Sequence, residues 1–296
     1  MLDVYKAKHR TADADGAKVF YREAGRRDAP AVLLLHGFPS SSYGFRHVIS
    51  PLAEVARVVA PDLPGFGFTQ VPDDYDYTFE NMGRTIDAFT RTIGLERFFL
   101  YVHDFGAPVA YHLALAHPDR VLGLIVQNGN AHEEGLGESW DTAKAYFAHP
   151  TPETLAAIPE WLNFEGTRYQ YIGGPKRIEP LFAPEGWHLD WERMSRPGMI
   201  DVQLRIFTDY ARHIARFPEI SAYHRERQPP TLLFWGRHDT FFDVAEVMAY
   251  HRELERLDMH IYDGAHLLLE THHQECAALM REFVLNVMEG GEIGPA

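Results

Sequence analysis

The stretch Leu100–Pro108, which reads LYVHDFGAP, decides the fold of this chain. It continues an apolar run that begins at Phe98, and such a run is typical of a strand buried on both faces of a parallel sheet. Gly106 and Ala107 are small enough for a tight turn, and a proline next to them suits the first turn of a helix. The stretch therefore predicts a buried strand that turns sharply into a helix, with Asp104 at the turn.

Five further apolar runs predict strands, and a period-two alternation predicts an antiparallel strand before them. The runs cover residues 31–35, 55–61, 121–128, 231–236 and 259–262, and the alternation covers residues 17–23. Between the runs, helical spacing of apolar residues predicts helices over 79–93, 108–117 and 244–257. Strands that alternate with helices predict an α/β fold with a doubly wound, mostly parallel sheet.

Polar side chains follow several of these predicted strands. They are His36, Asp62, Asp104, Asn128 and Asp239. In an open parallel sheet, ligands bind at the carboxyl ends of the strands. The functional groups are therefore expected at that edge of the sheet.

Residues 132–217 differ from the rest of the chain in composition and in the spacing of their apolar residues. Tryptophan and tyrosine concentrate there, amid short helical patterns broken by proline and glycine, and no strand pattern interrupts them. We expect a helical cap over residues 132–217, inserted into a core domain that comprises residues 1–131 and 218–296.

The composition excludes some classes of partner. The chain of 296 residues has 28 basic and 42 acidic residues, a formal net charge of −14, which argues against nucleic acid and anionic membranes. Cys276 is the single cysteine, and Met1–Val4 lacks the pattern of a signal peptide. We expect a cytoplasmic protein that acts on a small apolar molecule and uses no cofactor or metal. The sequence leaves open whether the protein forms a homodimer.

Four segments together resemble one known family. His103–Pro108 resembles the nucleophile elbow of the α/β-hydrolase fold, in the aspartate form used by epoxide hydrolases and haloalkane dehalogenases. His36–Pro39 resembles the oxyanion loop of that group, Trp235–Asp239 its acid loop, and Gly264–Glu270 its histidine loop. The order of nucleophile, acid and histidine is that of the fold. One departure is Val102, where the family often has glycine.

The resemblance implies a role for each matched residue. Asp104 would be the nucleophile, His266 the general base toward water, and Asp239 the acid that orients the histidine. The backbone N–H groups of Phe38 and Phe105 would form the oxyanion hole. Without the resemblance, an aspartate in front of a helix is usually an N-cap.

A carboxylate nucleophile suits an attack on saturated carbon. A serine would leave an ether, which water does not readily cleave, whereas a carboxylate leaves an ester that an activated water can hydrolyse. An ionised aspartate also needs no base for its attack. The histidine is then required only in the second step.

The leaving group separates several alternatives. Haloalkane dehalogenases usually hold the halide with a tryptophan after the nucleophile and an asparagine after His-Gly, and these positions are Phe105 and Phe38 here. Fluoroacetate dehalogenases have an arginine directly after the nucleophile, and this position is Phe105 here. Epoxide hydrolases use cap tyrosines, and the resemblance places one of them at Tyr210. Tyr171 is expected to be the second, with Tyr169 as the alternative.

An epoxide hydrolase that gives a vicinal diol is therefore the first expectation. A haloalkane or haloacid dehalogenase is the second, with a cap tryptophan in place of the missing donors. A non-catalytic binding protein on the same scaffold is an alternative of another class. In each case the pocket is expected to be lined by His36, Pro39, Trp140, Trp161 and Tyr169.

Overall fold

The computed structural model describes residues 5–158, 160–291 and 293. The strands of these residues form one eight-stranded sheet. The strands are β1 (Lys8–Ala14), β2 (Ala17–Ala24), β3 (Ala31–Leu34), β4 (Arg57–Pro61), β5 (Phe98–Val102), β6 (Val121–Gln127), β7 (Thr231–Gly236) and β8 (Leu257–Tyr262). Their order in the sheet is β1-β2-β4-β3-β5-β6-β7-β8. The pairs β1–β2 and β2–β4 are antiparallel and the others parallel, so the predicted fold class is confirmed.

Helices cover both faces of this sheet. They are α1 (Ile49–Leu52), α2 (Phe79–Thr92), α3 (Gly106–Ala116), α4 (Asp141–Ala148), α5 (Pro152–Ala156), α6 (Phe164–Ile172), α7 (Glu185–Met194), α8 (Met199–Ala215), α9 (Phe217–Arg227), α10 (Ala245–Glu253) and α11 (His273–Met288). None of those in the described ranges is long and apolar enough to cross a membrane.

The central strands are apolar throughout because each alternate side chain enters a different core. From β5, Phe99 and Tyr101 pack with side chains of α1 and α11. Leu100 and Val102, on the opposite face, pack with side chains of α2 and α3. Burial on both faces is the reason that these strands read as continuous apolar runs.

Two predicted helix boundaries differ from the structure by two residues or more. The helix predicted from Pro108 begins at Gly106, because the tight turn at Asp104 already makes a hydrogen bond from Ala107 N to the Asp104 carbonyl. The helix predicted over 244–257 ends at Glu253, since Leu254 has extended backbone angles and β8 begins at Leu257. Apolar spacing alone does not separate the end of a helix from the start of the next strand.

The described residues between β6 and β7 are helical or irregular, and α4 to α9 lie in this part. The predicted division between residues 217 and 218 falls at the start of α9. The helix α9 packs on α3 and α10, which lie in the predicted core domain, whereas α6 packs on α7 within the predicted cap.

Candidate active site

Asp104 lies at a sharp turn between β5 and α3. Its φ angle is 44°, in the left-handed region that non-glycine residues rarely adopt. The turn packs closely on the residues that follow β3: a Cβ atom at Gly106 would lie 2.6 Å from the carbonyl oxygen of Leu35 and 2.7 Å from that of His36. Glycine at 106 therefore allows the elbow to form, and the elbow holds Asp104 above the edge of the sheet.

The Asp104 carboxylate is buried and held by backbone donors. Phe38 N donates to Asp104 Oδ1 at 2.5 Å, and the backbone N–H of Phe105 donates to the same carboxylate. A Cβ atom at Gly37 would lie 2.2 Å from this Oδ1, so the loop can approach only as glycine. The two N–H groups that the sequence predicts for an oxyanion hole thus converge on Asp104.

The structure brings Asp104, Asp239 and His266 together. His266 Nδ1 lies 2.9 Å from Asp239 Oδ2, and His266 Nε2 lies 3.8 Å from Asp104 Oδ2. At that distance Nε2 makes no hydrogen bond, and it has no partner in the described part of the chain. This arrangement fits a histidine that donates from Nδ1 and keeps Nε2 free to accept a proton.

Asp239 is held by more than the histidine. Its Oδ2 also accepts from Asn128 Nδ2 at 2.8 Å, and its Oδ1 accepts from the backbone N–H groups of Phe241 and Phe242. Asn128 in turn accepts from Gly236 N at 3.0 Å. The sequence places Asn128 at the end of a strand but assigns it no function, and the structure shows that it fixes the acid.

The charges of the site shift two pKa values. Burial raises the pKa of Asp104 above its usual 3.8, more than the nearby His266 and the two N–H donors lower it. Burial alone would lower the pKa of His266, but Asp239, as a charge and as a hydrogen-bond acceptor, outweighs it with help from Asp104. The pKa of His266 therefore lies above its usual 6.5, and Asp104 and His266 stabilise each other's charged forms.

A cavity of about 560 Å³ opens in front of Asp104. Most of its wall is apolar. It is lined by Phe38, Asp104, Phe105, Trp140, Thr142, Ala143, Ile158, Glu160, Trp161, Asn163, Glu165, Gly166, Tyr169, Gln170, Phe207, Thr240, Phe241 and Phe242. Among the described residues, no lysine, arginine or histidine lines it, and its two further charged residues are acidic. The described wall therefore offers no positive charge to an anionic molecule.

Three of the five residues predicted to line the pocket do so in the structure, and two do not. Trp140, Trp161 and Tyr169 line the cavity, but His36 and Pro39 do not. The His36 ring is turned into the protein, where Nε2 accepts a hydrogen bond from Leu63 N at 2.9 Å. The peptide bond before Pro39 is cis. For these two residues the prediction of pocket lining is wrong, because only the neighbouring Phe38 faces the cavity.

The two tyrosines predicted to protonate the leaving group lie outside the cavity lining. Tyr171 is buried and donates its hydroxyl to Asp190 at 2.5 Å. Tyr210 packs against Phe105 and donates to Asn130 Oδ1 at 3.3 Å. Both hydroxyls already have acceptors within the protein, so this placement corrects the prediction.

Helix periodicity explains the error at Tyr171. Two residues along an α-helix turn the side chain through about 200°. Tyr169 and Tyr171 therefore lie on opposite sides of α6, and Tyr169 is the one that lines the cavity, with its side chain half exposed. The sequence identifies the aromatic cluster but not the phase of its helix.

Two of the aromatic side chains that line the cavity have a hydrogen-bond donor without an acceptor among the described residues. The indole N–H of Trp140 donates to the Phe241 carbonyl at 2.6 Å and is occupied. In contrast, neither the indole N–H of Trp161 nor the hydroxyl of Tyr169 has an acceptor among residues 5–158, 160–291 and 293. These groups could hold a leaving atom.

Comparison with known proteins defines the class. The α/β hydrolase fold family matches residues 30–273, and this chain belongs to that family. It is a hydrolase, which sets aside the non-catalytic binding protein.

Three relatives illustrate what the chain is similar to. It is 39% identical over 276 residues to the uncharacterized hydrolase YNR064C of Saccharomyces cerevisiae, covering 92% of this chain and 95% of the relative. It is 28% identical over 282 residues to epoxide hydrolase 3 of Xenopus tropicalis, covering 91% and 75%. It is 43% identical to a haloalkane dehalogenase of Bradyrhizobium diazoefficiens, but only over 115 residues, which are 39% of this chain and 37% of the relative.

Proposed function

We propose that this hydrolase attacks an electrophilic saturated carbon through a covalent ester of Asp104, and that its substrate is an epoxide, which it converts to a vicinal diol. One observation carries the proposal. A buried carboxylate occupies the nucleophile elbow, inside two backbone N–H donors and 3.8 Å from a histidine that an aspartate orients. Residues 132–217 are proposed to be the cap that covers this site.

In the first step, Asp104 Oδ2 attacks a carbon of the epoxide ring. Oδ1 is held by Phe38 N, whereas Oδ2 faces His266. A C–O bond to Oδ2 forms while the C–O bond of the ring breaks, and the departing oxygen becomes an alkoxide. The Tyr169 hydroxyl can protonate this oxygen, and the Trp161 N–H can stabilise it by a hydrogen bond.

In the second step, water hydrolyses the ester. His266 Nε2 takes a proton from water, and the water oxygen adds to the carboxyl carbon of Asp104. The resulting oxyanion is held by the N–H groups of Phe38 and Phe105. The tetrahedral intermediate then releases the diol, whose oxygen receives the proton from His266. The regenerated Asp104 carboxyl loses its proton to water, and the Tyr169 phenolate regains a proton from water, which restores the free enzyme.

Loss of charge on Asp104 assists the second step. Once Asp104 is an ester, it no longer raises the pKa of His266, although Asp239 still does. The intermediate therefore has a larger fraction of neutral His266 than the free enzyme at the same pH, and the neutral form is the base.

The cavity wall narrows the substrate class. Without a cation in the described wall, and with Glu160 and Glu165 at its surface, the cavity offers no opposite charge to a substrate carboxylate. This disfavours haloacids. A neutral small molecule remains the proposed substrate, and a cytoplasmic location and a homodimer remain predictions.

Oxygen isotopes test the covalent route. In a single turnover of a styrene oxide probe, with enzyme in excess and in water enriched in oxygen-18, the first diol is expected to carry an unlabelled oxygen taken from Asp104. The heavy oxygen should appear in the peptide that contains Asp104. Label in the first diol, with none in that peptide, would show that water attacks the substrate directly and would contradict the ester.

Haloalkane dehalogenation is the second candidate function, and the free indole N–H of Trp161 favours it. Such a donor in the cavity wall can hold a departing halide in the absence of donors at Phe38 and Phe105. The shared segment with a haloalkane dehalogenase agrees with this alternative.

Replacing Trp161 by phenylalanine is expected to lower kcat/KM by about 10- to 100-fold, because a donor to the developing charge is lost while the aromatic wall stays. Steady-state rates with one epoxide and one bromoalkane would measure the effect, and a larger loss with the bromoalkane would favour dehalogenation. Trp191→Phe is the matched control, since Trp191 is also half-buried in the helical part but outside the cavity. Equal losses in both variants would count against a role for the Trp161 N–H.

A further inference from the structure

A second cluster of ionisable side chains is buried away from the cavity. His132 follows β6 and is the first residue of the proposed cap, His224 belongs to α9, and Glu253 ends α10. Their exposed fractions are 6%, 0% and 7%. The catalytic steps proposed for Asp104 and His266 use none of them.

Three ligand-type atoms converge in this cluster. His132 Nε2 lies 2.9 Å and His224 Nδ1 lies 3.0 Å from the same oxygen, Glu253 Oε2. One atom from each of the three residues lies within 4.8 Å of the others. Tetrahedral Zn²⁺ with bonds of about 2.0–2.2 Å places its ligand atoms about 3.3 Å apart. The two nitrogens would need to move away from the oxygen by a few tenths of an ångström, and toward each other by up to about 1.5 Å.

The outer partners of the cluster match those of metal-binding histidines. A metal-bound histidine usually donates its other ring N–H to a carboxylate, a backbone carbonyl or a water, which orients the ring, and a hydroxyl oxygen can accept in the same way. His132 Nδ1 lies 2.9 Å from Glu246 Oε1, and His224 Nε2 lies 3.1 Å from the Tyr111 hydroxyl. Arg225 contacts the other oxygen of Glu253 at 2.7 Å and leaves Oε2 to face the histidines.

We propose that His132, His224 and Glu253 bind a divalent metal, for which Zn²⁺ is the fitting ion. Two imidazoles and one carboxylate are a ligand set that zinc accepts. The ion would join the first residue of the proposed cap to α9 and α10. The ligands are far apart in the sequence, so no local spacing predicts the site.

The same contacts would stabilise a hydrogen-bonded ion network without metal, and a metal titration separates the two. The protein is stripped with a chelator, dialysed and titrated with ZnCl₂ by calorimetry and by thermal unfolding. We expect one Zn²⁺ per chain with a dissociation constant of about 1 μM or lower. A saturating excess should raise Tm by about 5 °C.

Glu253→Gln keeps the size of the side chain but removes the anionic ligand, and it is expected to lose both the binding and the Tm shift. His224→Gln provides a second test if Glu253→Gln does not fold. His251→Gln, which removes an exposed histidine of α10, is the control and should bind as the wild type does. The proposed site would be overturned if the wild type bound no Zn²⁺, or if Glu253→Gln and His224→Gln both bound Zn²⁺ as the wild type does. Loss of binding in His251→Gln would also overturn it. None of these measurements depends on hydrolase activity.

Discussion

Asp104→Asn is expected to reduce turnover by at least about 10,000-fold with any substrate of the enzyme, as removal of a covalent nucleophile does. Asparagine fits the same elbow and can still accept from Phe38 N, so the fold of the site should survive. Its amide oxygen, however, has no negative charge and is too weak a nucleophile to open an epoxide or displace a halide. The loss should therefore fall on kcat, measured at saturating substrate.

Two controls keep this result interpretable. The water that His266 activates could hydrolyse the new amide back to aspartate, so intact mass must confirm the variant at the end of each assay. Asp141→Asn makes the same chemical change at the exposed start of α4 and should leave turnover unchanged. Turnover by Asp104→Asn within tenfold of the wild type, without reversion, would exclude Asp104 as the nucleophile.

The sequence predicts those parts of the site that local segments determine. The turn at Asp104 depends on neighbours within a few residues, Gly106 above all, and the same holds for the loop that presents Phe38 N. Asp239 and His266 are distant in sequence but follow adjacent parallel strands, β7 and β8, so the edge of the sheet brings them together.

The remaining parts of the site depend on packing between segments that are distant in the sequence, and no local sequence pattern encodes that packing. The aromatic segment 161–171 is apparent in the sequence, but which ring faces the cavity depends on the phase of α6, and the prediction of Tyr171 is wrong for that reason. Asn128 supports Asp239 across a gap of more than a hundred residues. His132, His224 and Glu253 come from three elements that meet only in the folded chain.

His266→Gln is expected to separate the two chemical steps. Glutamine has a similar size and can hydrogen bond to Asp239, but it cannot take a proton from water. The attack by ionised Asp104 needs no base and should still occur. Because the His266 charge helps to keep the pKa of Asp104 down, its loss should raise that pKa further. The reaction is therefore best run at about pH 8, where a larger fraction of Asp104 is ionised than at neutral pH.

The variant should therefore accumulate one covalent adduct per chain while steady-state turnover falls by at least about 1,000-fold. Intact-protein mass spectrometry after exposure to a panel of epoxides and organohalides reads the chemistry directly. A gain of the whole substrate mass means epoxide opening, and a gain of the substrate minus hydrogen halide means dehalogenation. The double variant Asp104→Asn/His266→Gln should form no adduct, because the free Asp104 carboxylate is the group that is alkylated. An adduct on a peptide without Asp104, or full turnover by His266→Gln, would contradict a mechanism in which the histidine acts only on the ester.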